Sequence, residues 1–230
     1  MRRQMRRQIG QPLQREEVTP AAAGALARRA AAAAEVVAAI GTVEARGGNL
    51  VTEALAGRAF VAETHYPDDD VRDPATGGQY YFHAHRPGDL PWAEAGHFHS
   101  FMREADGGLV HLIAISMDQA GRPRRLFTVN HWVTGGTWRD APASVALLRG
   151  FAITHDVPSA PLNRFVCGML VLFAAEIAAL LAARDRAIAA HRLACPGGDA
   201  FEDRALAVTS MRRINLDATL ARLRGALGLE

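Results

Sequence analysis

The sequence predicts an α+β fold: an antiparallel β-meander of four to five strands, with N-terminal and C-terminal helices packed on it. Three observations carry this reading. Four segments between Gln79 and Thr134 read as strands, and the first two alternate apolar with polar side chains at the two-residue period of a pleated chain. The connections "ADGG" (105–108) and "QAGRP" (119–123) are short and turn-forming, which suits antiparallel neighbours. Alanine- and leucine-rich stretches flank this block on both sides.

The elements follow in order. Residues 1–20 carry Arg2, Arg3, Arg6, Arg7 and Arg15 and are expected to be a basic, solvated tail, with contact to nucleic acid as its less favoured role. Residues 21–230 then form a single domain. Ala21–Arg46 is predicted helical, opened by Thr19 and Pro20 and closed by Gly47 and Gly48. Residues 49–63 fit either a strand or a short helix. "THYPDDDVRDPATGG" (64–78) has the Pro, Asp and Gly content of a loop. The strands are expected at Gln79–Arg86, His97–Glu104, Leu109–Asp118 and Arg124–Thr134. One helix follows at Ser144–Ile153, and a long one runs from Pro161 to about His191. "CPGGD" (195–199) breaks it, and a last strand (205–211) and a last helix (216–227) end the chain.

Composition excludes several classes. The chain has 230 residues, 49% hydrophobic and 22% charged, with net charge +2, as expected of an ordinary globular protein. All 26 basic residues are arginine, so lysine Schiff-base chemistry and the phosphate-binding lysine loop are ruled out. Cys167 and Cys195 have no metal spacing and suggest a reducing, cytoplasmic setting. The apolar run 165–183 contains Glu176, which would cost about 2.5–3.5 kcal/mol in lipid, so a buried helix is expected there and no membrane partner.

Four of the nine histidines lie in "YYFHAHRPGDLPWAEAGHFHSF" (80–101). Alternation puts Tyr81, His83 and His85 on one face of their strand, and His97, His99, Phe101 and Arg103 on one face of the next. Tyr80, Phe82, Phe98 and Met102 point the other way, toward the helices. With His85 opposite His97 and His83 opposite His99, the four imidazoles would form a square able to hold one divalent transition metal, Zn or Fe. An open coordination position would allow metal-dependent hydrolase or oxygenase chemistry. His111 is a possible further ligand, opposite His131 if the register permits. His65, Asp70 and Asp73, with Asp68 and Asp69, form an acidic loop that could add a carboxylate. Glu94 and Glu104 are candidate general bases. The spacing from Gly77 through His83, His85 and Asp89 to Gly96 resembles the first cupin metal motif, but the second motif is absent.

The alternative is a non-catalytic small-molecule site for an anion, built from Arg86, Arg103, Tyr81 and Asn130. Ser116 and Cys167 lie in no nucleophile motif.

"HYPDDDVRDPATGGQYYFHAHR", "GHFHSF", "HLIAISMD" and "LFTVNHWVTGGTW" together resemble an uncharacterised bacterial family known only as a domain of unknown function. The resemblance covers most of the chain after the basic tail. It implies a bacterial cytoplasmic protein and carries no activity. Arginine is usual in that family where His131 stands, which sets His131 apart from the other histidines.

Overall fold

The computed structural model describes residues 19–86 and 88–229. The expected basic tail lies outside them except for Thr19 and Pro20. Thr19 accepts a hydrogen bond from the Ala22 N–H and caps α1 (Pro20–Glu44). The undecided stretch after it is a short helix, α2 (Leu50–Leu55), held by a capping box between Asn49 and Thr52.

Six strands follow in strict meander order: β1 (Tyr66–Arg72), β2 (Gly78–His83), β3 (Gly96–Arg103), β4 (Leu109–Met117), β5 (Pro123–Val129) and β6 (Val208–Arg213). Every neighbouring pair is antiparallel. β1 corrects the expectation of a loop. Its Pro and Asp residues hide a strand that runs along the sheet edge, where a break in register between Tyr66 and Val71 absorbs them.

The remaining helices are α3 (His131–Thr134), α4 (Ala141–Leu148), α5 (Ala160–Leu172), α6 (Ala174–Ala194) and α7 (Leu216–Ala226). The expected single long helix is two, bent by 72° at Phe173. The Leu172 carbonyl accepts from the Arg29 Nε of α1 instead of from a following helical N–H. No single helix among the described residues is long and apolar enough to cross a membrane.

One face of the sheet carries the main core. Tyr80, Phe82, Phe98, Met102, Ile113 and Ile115 pack with Val36 of α1 and Phe165, Val166 and Met169 of α5. Each such burial stabilises by roughly 1.5–3 kcal/mol. α1 and α5 meet closely at Gly168, where a Cβ would lie 2.7 Å from Val36 Cγ2. The even-numbered residues of β2 and β3 therefore face the helices, as the alternation predicts.

Candidate metal centre

The odd-numbered residues of β2 and β3 face the other way. The observed register is even but slipped by two from the expected one: His83 is opposite His97 and Tyr81 is opposite His99. β2 ends at His83, so His85 lies in the twelve-residue connection 84–95 and not across from His97. Gly96 makes this ending tight. A Cβ there would fall 2.7 Å from the His83 carbonyl oxygen and 2.3 Å from Phe82, at a φ of +151°.

His111 reaches the same face through a bulge. β3 and β4 pair Ser100 with Ile113, but then Phe101 with His111, so Leu112 is an extra residue. Without it, His111 would point into the helical core. His111 is not opposite His131, because β5 ends at Val129 and His131 opens α3, where it contacts Glu202 and the Gly136 carbonyl.

The histidine face is buried too. His97 and His99 are 1% exposed, His83 7% and His111 9%. Their ring nitrogens form a continuous chain. His83 Nε2 lies 2.7 Å from His97 Nε2, His97 Nε2 lies 2.9 Å from His99 Nε2, and His99 Nδ1 lies 2.9 Å from His111 Nε2. His85 sits at the rim, with Nδ1 2.6 Å from Glu63 Oε1. His83, His85 and His97 each offer a ring nitrogen within 4.8 Å of the other two, so this group could hold a metal ion.

Glu94 fixes the chemistry of His97. Its side chain is 6% exposed; Oε1 lies 2.5 Å from His97 Nδ1, and Oε2 accepts from Trp92 Nε1 at 2.8 Å. Burial opposes its charge, but the hydrogen bonds it accepts, from His97 first and also from Trp92, hold its carboxyl below the ordinary value. An ionised carboxylate only accepts, so His97 Nδ1 carries the proton. Burial also pushes the His97 imidazole below its ordinary value, against the pull of Glu94. A neutral His97 with its proton on Nδ1 presents a bare lone pair at Nε2. Both His83 Nε2 and His99 Nε2 approach that single lone pair.

The other rings are neutral for the same reason. Burial and then the neighbouring His97 push His83 down to about 2, and burial and then Arg184 push His111 down to about 3. His99 is pushed well below its ordinary value by burial and then by His97. Neutral imidazoles are the metal-binding form. The 2.7–2.9 Å separations are shorter than the ~3.4 Å between two nitrogens on a tetrahedral zinc, so ligation would spread the rings by about half an ångström.

The other sequence-predicted residues are placed as follows. His65 stacks on Tyr81 with ring centroids 3.6 Å apart, and its Nδ1 meets Asp70 Oδ1 at 2.9 Å. Asp70 also accepts from Gln79, which in turn accepts from Arg103, so these groups brace the rim beside the trio. Asp73 is engaged elsewhere: its carboxylate accepts from the N–H groups of Ala75, Thr76 and Thr154 and from the Thr154 hydroxyl. Those bonds, the Thr154 hydroxyl first, hold it down to about 2 despite its burial. Asn130 caps α3 and donates to the Ala200 carbonyl, which leaves its amide no free end for a ligand. Glu104 is paired with Arg139. Arg86 is exposed, and it lines a cleft of about 630 Å³ with His85, Trp92 and Glu94. Asp68 pairs with Arg58. Glu63 carried no sequence signal, since it lies 22 residues from the His85 it contacts.

The family model for a domain of unknown function, DUF6969, matches residues 30–214, which include every strand and every histidine of this face. The chain belongs to that family. No curated protein and no solved structure matches it. The DUF6969 match spans both the helical core and the histidine face.

Proposed function

We propose that this DUF6969 protein binds one divalent transition metal, Zn or Fe, through His83, His85 and His97, with His99 beside them, and that the centre is of the open, catalytic kind. The observation that carries this reading is the crowding at His97 Nε2. One lone pair, fixed by Glu94, faces two other ring nitrogens at 2.7 and 2.9 Å. A hydrogen-bonded network serves one of them well and leaves the other poorly directed. A shared cation satisfies all the lone pairs at once.

Two features favour catalysis over a purely structural role. The His85 end of the trio borders the cleft lined by Arg86 and Trp92, which leaves room for a further ligand. Glu63 and Glu94 each hold an imidazole by its far nitrogen, the carboxylate–histidine arrangement that orients metal ligands and raises their basicity. A metal bound there would act as a Lewis acid toward a water or a substrate oxygen. Glu94 would be a positioning residue and not a general base, because both its oxygens are already engaged.

Elemental analysis of protein purified from metal-replete medium tests this. About one equivalent is expected in the wild type, and far less in His83→Ala and His97→Ala variants that remain folded by circular dichroism. Sub-stoichiometric metal in the wild type, or unchanged content in both variants, overturns the reading.

A further inference from the structure

The histidine row continues across the sheet into a cluster of arginines. His83 is opposite His97, His97 is opposite Ser116, Ser116 is opposite Arg125, and Arg125 is opposite Arg213. Directly opposed residues share a face, so this is one line of side chains running from β2 to β6. Its last two members are like charges in direct opposition, an arrangement that destabilises a sheet.

Neither Arg125 nor Arg213 makes an ion pair among the described residues, and the charge of Glu94 reaches Arg125 only at longer range. Arg125 is 9% exposed, yet its guanidinium has no carboxylate within salt-bridge distance and no hydrogen-bond acceptor. It lies over the Trp92 ring, 5.2 Å from the centroid. Arg213 has no acidic partner either. Neighbouring Arg124 has one weak contact, 3.6 Å to Asp118 Oδ2, while the other Asp118 oxygen accepts from the N–H groups of Ala120 and Arg122. The three arginines line one cavity of about 430 Å³ together with Asp118 of the β4–β5 turn, Asn215 after β6 and Ala93 of the connection 84–95. Burial, followed by the charge of Arg213, disfavours the Arg125 cation, with Glu94 opposing.

An anionic ligand would relieve the repulsion between these guanidinium groups and give Arg125 the acceptor that only solvent now supplies. Three arginines against one aspartate leave this cavity lining with an excess positive charge of two, more than a single carboxylate would balance. They suit the charge and the fork geometry of a phosphate. We propose that Arg124, Arg125 and Arg213 form a binding site for a phosphate group. The assignment stands without a bound metal, although the row puts it two strands from His97.

The test is calorimetric titration of metal-stripped protein with inorganic phosphate. The wild type should bind about one equivalent saturably. Arg213→Gln and Arg124→Gln, both exposed and safe for folding, should each weaken binding roughly 10-fold, the loss of one charge-assisted contact. Arg213→Gln should also melt at a higher temperature than the wild type in phosphate-free buffer, because it removes the opposed like charges. His83→Ala, which removes a proposed metal ligand, should leave phosphate binding unchanged, so failure of the metal reading does not mimic failure here. Absence of saturable binding, or equal binding in the wild type and both arginine variants, overturns the proposal. So does salt-dependent capture of an oligonucleotide without phosphate binding, which would assign the patch to nucleic acid.

Discussion

Acidifying the metal-free protein from pH 7.5 to 5.5 should remove about 4 kcal/mol of folding stability. The perturbation acts on His83, His99 and His111, whose folded pKa values lie at about 2, well below ordinary, and at about 3. In the unfolded chain each returns to about 6.5. Below that value the unfolded state takes up protons that the folded state refuses, so stability falls as pH falls and is fully present above it. Over these two pH units, each imidazole that stays neutral in the fold contributes about 1.4 kcal/mol of loss. His97, also lowered, adds up to about the same again. Carboxylates contribute little in this window, because their unfolded values lie below it. The assay is urea denaturation at several pH values in the presence of a chelator. His111→Gln, measured beside the wild type, should flatten the dependence by about 1.4 kcal/mol. A total change under about 1 kcal/mol, or an unaltered slope in His111→Gln, would refute the claim that these rings are buried and neutral.

Other variants separate the roles of individual residues. Glu94→Gln should weaken metal binding about 10–100-fold in competition with a chromogenic chelator, because His97 loses the carboxylate that orients it. Gly96→Ala should cost about 3 kcal/mol or more in urea denaturation, since its Cβ would collide with Phe82 and the His83 carbonyl at a positive φ. Asp73→Ala should cost roughly 2–4 kcal/mol by leaving its four donors without an acceptor. Its metal content, measured alongside, should not change, which distinguishes Asp73 from the ligand set.

The parts of this protein written in local periodicity were legible in its sequence, and the parts written in strand offsets were not. Phe82 and Phe98 against His83 and His97 declare two faces through simple alternation, and that sufficed to pair the histidines with each other and the aromatics with the helices. The slip of two residues in the hairpin was hidden. It depends on where β2 ends, and a connection holding two prolines and a glycine can close at several lengths. The bulge at Leu112 left no trace, since Leu112 and Ile113 are apolar on either count. Yet that one residue decides whether His111 faces the histidines or the core. The bend at Phe173 has no proline or glycine to mark it. The carbonyl it frees, that of Leu172, accepts from an arginine 143 residues away, Arg29, a pairing that local sequence cannot show. β1 was hidden because three consecutive aspartates are poor strand formers; here the edge leaves Asp68 and Asp69 to solvent, and Asp70 is held by His65 and Gln79.

The two faces of this sheet serve different ends. Tyr80, Phe82, Phe98, Ile113 and Ile115 with the helices α1 and α5 already make a core of ordinary kind. The opposite face is buried just as deeply, but its central row runs His83, His97, Ser116, Arg125. Ser116 Oγ has no hydrogen-bond partner there, and Arg125 lies over the Trp92 ring instead of beside a carboxylate. Each such group costs stability that an apolar residue of similar size would not. A sheet selected only for folding would fill this row with valine and leucine. The burial also works for chemistry: it keeps the imidazoles neutral at pH 7, and it raises the strength of any charge the row meets by excluding water. On the two proposals made above, a cation at one end of this row and an anion at the other would each offset part of that cost, which a row of valine and leucine would never have incurred.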